Sequence, residues 1–186
     1  MLEYLDLQSG DIDEMSELYE KYLNAGENIK AWISEGMNGP GYCGVKCVDG
    51  NKMIGVFSAR PAVEFTCGHE DIVDLICERW RGLLLYTGDM LVVAPEYRRQ
   101  GVARELTERL HRSLVQKGCQ CFVAEEWHRF VEKDVPADDV LKYLGRKVIV
   151  GRYDDFYKNL GMHGLTCPEC GTSCCCGAIV SVFEFV

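Results

Sequence analysis

The sequence predicts a mixed α/β domain in which helices pack on a twisted β-sheet. Three observations carry that prediction. Asp89 to Cys119 reads as an apolar strand, a glycine-bearing turn and an amphipathic helix in immediate succession. Tyr42–Val48 and Lys52–Ala59 are two strand-like runs joined by Asp49-Gly50-Asn51, a good hairpin turn, and should pair antiparallel. The chain then closes on Ile179 to Val186, a strongly β-prone run. At 186 residues and 47% hydrophobic content there is enough chain for one full core and too little for two, so residues 1–186 are read as a single domain.

The elements follow in order. Residues 1 to 8 alternate well enough for a first strand, and Ser9-Gly10-Asp11 offers turn and capping residues. Ile12, Met15, Leu18, Tyr19, Tyr22 and Leu23 then recur at helical spacing, with Asp11, Asp13 and Glu14 loading the first turn against the helix dipole. Asn24-Ala25-Gly26 ends that helix, and a second short one spans about Asn28 to Gly36 before Asn38-Gly39-Pro40-Gly41 breaks it. After the hairpin, Arg60 to Arg81 carries a helical pattern in Ile72, Val73, Leu75, Ile76 and Trp80, an insertion ahead of the strand Leu83 to Val93.

In the helix behind the glycine turn, Val102, Leu106, Leu110 and Leu114 fall at i, i+4, i+8 and i+12, one face for a sheet. Lys117-Gly118 closes it, and Cys119 to Glu125 is the next strand, giving a parallel strand–helix–strand unit. Pro136 to Gly145 reads as a helix with proline at its start and glycine past its end. Asp154 to Leu160 reads as a further short helix.

Composition narrows the function. A net charge of −9 leaves no excess of Lys and Arg to displace phosphate counterions, which argues against nucleic-acid binding and suits a cationic or amine ligand. Met1 to Leu7 carries no positive n-region and no long apolar stretch, and no run approaches the roughly 20 apolar residues a membrane span needs. Cytoplasmic residence is the resulting expectation, and eleven cysteines then read as thiols or metal ligands before a disulfide framework.

The turn at Arg98 to Ala103 sits where a helix begins, so unpaired N–H groups and the positive dipole end converge on one point. An anion is the expected occupant. Val93-Ala94-Pro95-Glu96-Tyr97-Arg98-Arg99-Gln100-Gly101-Val102-Ala103 resembles motif A of the GNAT superfamily of acetyl-coenzyme A-dependent N-acetyltransferases, whose pattern is Val-x-Pro-x-(Tyr/Trp)-Arg-x-x-Gly-x-(Gly/Ala). Phe156-Tyr157-Lys158-Asn159-Leu160-Gly161-Met162 is similar to the Phe-Tyr-Glu-Lys-Leu-Gly-Phe segment of the same family, and Cys47 to Val56 resembles its second and third strands.

The resemblance, over about residues 1 to 162, implies a GNAT-like, mostly antiparallel twisted sheet with splayed central strands and flanking helices. It implies acetyl-coenzyme A as cosubstrate, its pantetheine bonded by backbone groups of Leu91, Val92 and Val93. Its pyrophosphate would be held by Arg98, Arg99, Gln100, Gly101, Val102, Ala103 and Arg104, with Gly101 and Ala103 small so that the phosphates approach the backbone. The acceptor implied is an amine on a small molecule or peptide, attacking the thioester directly. Tyr157 matches the family's acid.

For the base, Asp89 ranks first, read as sharing a face with Leu91 and Val93, while Glu125 and Glu126 end the neighbouring strand. The segment Trp127 to Tyr153 replaces a position where the family often has Asn, and with the 60 to 81 insertion it is expected to shape the acceptor pocket. A homodimer is left open.

Cys167-Pro168-Glu169-Cys170-Gly171-Thr172-Ser173-Cys174-Cys175-Cys176 lies between the last two strands, within a Cys-rich appendage at residues 163–178. Cys-Pro-x-Cys-Gly is a zinc-knuckle pattern, and Cys167, Cys170, Cys174 and Cys176 form the expected ligand set, with Cys175 left out and His163 as a substitute. Iron–sulfur, disulfide and free-thiol states stay open on sequence grounds. Cys43, Cys47, Cys119 and Cys121 read as core, and His69, His111 and His128 as ordinary surface or helix residues. The rival functional class is a non-catalytic module that binds coenzyme A and senses metal or redox state through the cysteines.

Overall fold

Among the described residues, the β-branched and aromatic runs of the sequence assemble into one seven-stranded sheet. The computed structural model describes residues 1–63, 65, 68–128 and 137–185. In chain order the elements are β1 (Leu2–Asp6), α1 (Ile12–Tyr22), β2 (Ala25–Gly26), α2 (Ile29–Asn38), β3 (Cys43–Asp49), β4 (Lys52–Arg60), α3 (Glu70–Arg79), β5 (Leu85–Val93), α4 (Val102–Gln116), β6 (Cys121–His128), α5 (Asp138–Leu141), β7 (Arg146–Tyr153), β8 (Leu165–Thr166) and β9 (Gly177–Glu184). The large sheet is ordered β1-β3-β4-β5-β6-β9-β7, and every pairing in it is antiparallel except β5 with β6, where the α4 crossover makes it parallel.

Two layers of helix cover the sheet. Met15, Leu18 and Tyr19 of α1 and Ile29 and Ile33 of α2 pack on Met53, Val56, Met90 and Val92 from one side. On the other side α4 seats Val102, Leu106, Leu110 and Leu114, all nearly solvent-free, against Val45, Ile54 and Phe57. The regular i, i+4 spacing of those four residues is what puts them on a single buried stripe. A third apolar cluster joins α3, through Ile72, Ile76 and Trp80, to β6, β9, Phe156, Tyr157 and Leu160.

The start of α1 is tied down as its sequence suggests. Ser9–Asp11 forms a short 3₁₀ turn, the Gln8 N–H donates to Asp11 Oδ2 at 2.8 Å, and Asp11 also pairs with Lys46 on β3 at 2.5 Å. One carboxylate therefore caps the helix and pins it to the sheet. Beyond the large sheet, β2 pairs antiparallel with β8, fastening the α1–α2 connection to the segment that leads into the cysteines.

Three expectations need correction. The stretch from Asp154 to Leu160 is not a helix: Asp154 to Asn159 is a run of turns, with Asp155 in the left-handed region at φ 53, and only Leu160–His163 closes a 3₁₀ turn. The helix expected from Pro136 to Gly145 is one α turn followed by a 3₁₀ turn at Lys142–Leu144, and Pro136 lies outside the described residues. Finally, the segment Trp127 to Tyr153 also holds β7, an edge strand built on Val148, Ile149 and Val150 and paired with β9. Its β-branched run is a legible signal, masked by basic residues on both sides.

Burial decides which apolar residues matter. Leu110 is fully buried in the α4 stripe, whereas Val115 on the same helix is 51% exposed. Leu110→Ala is expected to cost about 3 kcal/mol in urea denaturation and Val115→Ala less than about 0.5.

Candidate functional site

The site begins where two strands part. β5 and β6 pair only through Leu85–Cys121, Tyr86–Phe122 and Thr87–Val123, although both strands run on, to Val93 and His128. At the point of parting the Phe122 ring presses on Gly88, where a Cβ would stand 3.0 Å from the ring edge. A side chain there would have to push the ring aside. Next to it, Ser58 faces Met90 and Ala59 faces Gly88, so Asp89 is the extra residue of a β-bulge, which adds twist and swings β5 away. A cavity of about 430 Å³ fills the gap, bordered by Leu91, Val92 and Val93 on the half of β5 that β6 leaves uncovered.

At one end lies the turn. Arg99 and Gly101 both take left-handed backbone, φ 61 and φ 85. Gly101 caps α4, and the first intrahelical bond runs from Glu105 N–H to the Gly101 carbonyl, which leaves the N–H groups of Val102, Ala103 and Arg104 for an outside acceptor. A Cβ on Gly101 would meet no protein atom within 4 Å, so within the protein the glycine is called for by its backbone angle. Arg98, Arg99, Gly101, Val102, Ala103 and Arg104 all border the cavity.

Their side chains are partly committed. Arg98 Nε donates to the Val93 carbonyl at 2.9 Å, bracing the turn on the end of β5. Gln100 folds back to the Glu96 carbonyl at 2.8 Å. Arg104 pairs with Glu108 at 2.7 Å and lies over the Tyr143 ring. The backbone N–H groups, more than these side chains, are what the turn presents.

At the other end stand Tyr157, Glu125 and Trp127. Tyr157 is buried and its hydroxyl donates to Glu125 Oε2 at 3.3 Å, while its ring packs against Trp127 with centroids 5.3 Å apart. Successive residues of β6 point to opposite faces, so Glu126 turns away from the cavity and binds Lys147 and Ser181. Its charge is already used. Tyr157 is held from behind by Phe156, which stacks on His69 at 4.0 Å and accepts a hydrogen bond at its carbonyl from His69 Nε2 at 2.8 Å. His69 therefore buttresses the site, a role its place in an insertion gave no sign of.

Asp89 is not on the face expected of it. The bulge breaks the alternation, so its carboxylate turns toward α2 beside Trp32, Gly36 and Tyr42, away from the α4 side where Leu91 and Val93 pack. There it pairs with Arg60 at 2.9 Å, its side chain only 9% exposed. Asp89 still borders the cavity. The insertion's helix α3 packs behind Tyr157 and does not border it, whereas Trp127, Ala137, Val140 and Leu141 from the second enlarged segment do.

Apart from Cys77, exposed on α3, the described cysteines fall into two groups. Cys47, Cys119 and Cys121 are buried in the core as expected, with Cys43 half-buried, and burial pushes the Cys119 thiol up to about 12 and Cys121 up to about 11. They stay protonated and inert. Cys167, Cys170, Cys174 and Cys176 instead bring their sulfurs within 4.8 Å of one another, with Cys175 exposed beside them. His163 is exposed and outside that group.

The structure is a mostly antiparallel sheet whose central strands splay beside a helix N-terminus with free N–H groups. The sequence profile described as "Acetyltransferase (GNAT) family" matches residues 12–145, and the chain belongs to that family of acyltransferases. Among solved structures it is similar to NAA60 of Arabidopsis thaliana in complex with acetyl-CoA, at 15% identity and TM-score 0.69, covering 99% of this chain and 98% of that one. It is also similar to the ribosomal-protein-S18-alanine N-acetyltransferase of Escherichia coli, at 16% identity and TM-score 0.62, covering 100% and 94%. An aminoglycoside 6'-N-acetyltransferase complexed with coenzyme A matches at 15% identity and TM-score 0.63, covering 100% and 97%. At these identities the likeness shows the fold. No curated protein matches by sequence. Among the described residues no helix is long and apolar enough to cross a membrane.

The Asp89–Arg60 pair generates a stability prediction. Asp89→Asn takes a charged partner away from a largely buried guanidinium and is expected to cost about 2 kcal/mol by chemical denaturation. A loss below about 0.5 kcal/mol would show the pair to be a solvated contact.

Proposed function

We propose that this chain transfers the acetyl group of acetyl-coenzyme A to a primary amine by direct attack on the thioester. One observation carries the reading: a single cavity of about 430 Å³ runs from the N-terminus of α4 to the Tyr157–Glu125 pair. Its size falls in the range of small-molecule sites. The pyrophosphate is assigned to the turn at Arg98, Arg99, Gln100, Gly101, Val102, Ala103 and Arg104, where the free N–H groups of α4 converge. The pantetheine is assigned to the backbone of Leu91, Val92 and Val93, which it would meet as an added strand.

The reacting end then needs three services. An amine arrives as an ammonium, and Glu125 is positioned to take its proton, directly or through water. The nitrogen lone pair attacks the carbonyl carbon, and backbone N–H groups on the open edge of β5 supply hydrogen bonds to the oxyanion. The C–S bond breaks with its electron pair on sulfur, Tyr157 gives its proton to that thiolate, and the amide nitrogen's second proton restores the phenol. The sum is an amide, a free thiol and one proton released from the ammonium. Glu125 is preferred to Asp89 as base because the Asp89 carboxylate faces Arg60.

The acceptor is proposed to be cationic, since the chain carries a net charge of −9 and the acceptor end presents Glu125 among aromatic rings. Small amines and peptide amines both satisfy that description. The similar folds act on a ribosomal protein alanine in one case and on aminoglycosides in another.

Steady-state assays over a panel of amines, corrected for thioester hydrolysis, test the reading. Tyr157→Phe and Glu125→Gln are each expected to lower kcat about 100-fold with acetyl-coenzyme A affinity unchanged. A larger kcat loss in folded Asp89→Asn than in Glu125→Gln would move the base to Asp89. At the donor end, Gly101→Val forces a β-branched residue to φ 85 and should weaken acetyl-coenzyme A binding at least about tenfold by calorimetry, with the far-UV spectrum retained. Unchanged affinity would remove the turn from the site. No turnover with any amine, alongside intact acetyl-coenzyme A binding, would favour a sensing module.

A further inference from the structure

We propose that Cys167, Cys170, Cys174 and Cys176 bind one zinc ion, and that this ion keeps the acceptor end of the cavity in shape by holding both of its walls. The positioning half rests on the acetyl-transfer reading; the metal half is independent of it.

The sulfur geometry points to a single ion. A tetrahedral zinc with bonds of about 2.3 Å sets its sulfurs roughly 3.8 Å apart. Here the four sulfurs lie within 4.8 Å of one another, and those of Cys170 and Cys176 are 3.7 Å apart. A disulfide would bring two sulfurs to about 2 Å and leave the others aside. A polynuclear iron–sulfur cluster puts several inorganic atoms between its cysteines and spreads them wider than one ion does. Four mutually close soft donors suit zinc.

The backbone is shaped to match. Cys167 and Gly171 exchange two hydrogen bonds, at 3.0 and 2.9 Å, closing the Cys-Pro-Glu-Cys-Gly loop so that its two sulfurs aim the same way. The Cys176 N–H donates to the Cys174 sulfur at 3.4 Å, and Cys167, Cys174 and Cys176 are each buried. Such N–H groups orient sulfur ligands in advance of binding.

Two walls of the cavity converge on this loop. Cys167 directly follows β8, and β8 pairs with β2, the strand that follows Leu23 and Asn24 on the cavity lining. Cys176 serves the opposite wall: its carbonyl accepts the Tyr157 N–H at 3.2 Å, and Trp127 packs on the apolar cluster that holds Cys176. Trp127 and Tyr157 are the aromatic side of the acceptor end. One ion would thus fix Tyr157, Trp127 and the α1–α2 connection together, while the anion turn on α4 stands outside its reach.

The test uses the full chain purified without chelator. Elemental analysis should find one zinc per chain in the parent and in Cys175→Ser, and well under half that in Cys174→Ser. Cobalt substitution should give the absorption of a tetrahedral tetrathiolate site. Iron, a substoichiometric zinc content in the parent, or zinc unaffected by Cys174→Ser would overturn the metal assignment, and the parent measurement holds even if the variant fails to fold. Zinc removal should shift indole fluorescence in the parent and not in Trp127→Phe. It should also lower kcat at least about tenfold, with acetyl-coenzyme A affinity altered less than about threefold, as expected when a reacting group is displaced by a fraction of an ångström to an ångström. Unchanged fluorescence and kcat in the stripped, folded protein would overturn the positioning role. A parent that binds zinc but acetylates nothing would instead fail the acetyl-transfer reading alone.

Discussion

The parting of β5 from β6 after three residue pairs is the constraint on which the rest of the molecule depends. A sheet in this position would ordinarily continue its ladder and bury its own backbone groups. Here a phenylalanine against a glycine and a one-residue bulge stop it, and a half-strand of backbone is left facing an interior gap. The gap needs a floor and two walls to persist. The first turn of α4 supplies the floor, α1 and its connection to α2 one wall, and the Tyr157 region the other.

That second wall is built differently from the first. The α1 side is carried by aliphatic packing on the sheet, the usual source of rigidity in a fold of this size. The Tyr157 side has turns in place of a helix, and its order comes from aromatic stacking, a histidine bond to a main-chain carbonyl, and a loop of cysteines. Such contacts are few and directional, so they place a hydroxyl well but add less to global stability than the α4 stripe. The β2–β8 pair links the two walls, which otherwise belong to opposite ends of the chain.

Much of this was legible in the residues. The 89–118 unit announced itself because strand, turn and helix each obey a local rule and follow one another without interruption; the hairpin at 43–60 did so for the same reason. The grouping of Cys167, Cys170, Cys174 and Cys176 was also legible from spacing, since a knuckle is a local structure. What escaped was of another kind. Asp89 departs from the face that strand alternation predicts because a bulge is set by the register of β4 against β5, which neither strand reveals alone. The helix expected at 154–160 failed because Asp155 adopts left-handed backbone, and His69 became part of the site through a contact with a residue 87 positions away.

The amino-acid sequence by itself determined the turn side of the cavity: an apolar strand, a glycine that tolerates a positive φ, and a helix whose first N–H groups have no partner within it. Those properties depend on neighbours a few residues apart. The Tyr157 side of the cavity was decided only by tertiary structure, because Glu125 and Trp127 of β6, Tyr157 and the cysteines come from separate parts of the chain. Their relation is a matter of distance in space, and that is set by the splay of the sheet and by how the chain closes around it.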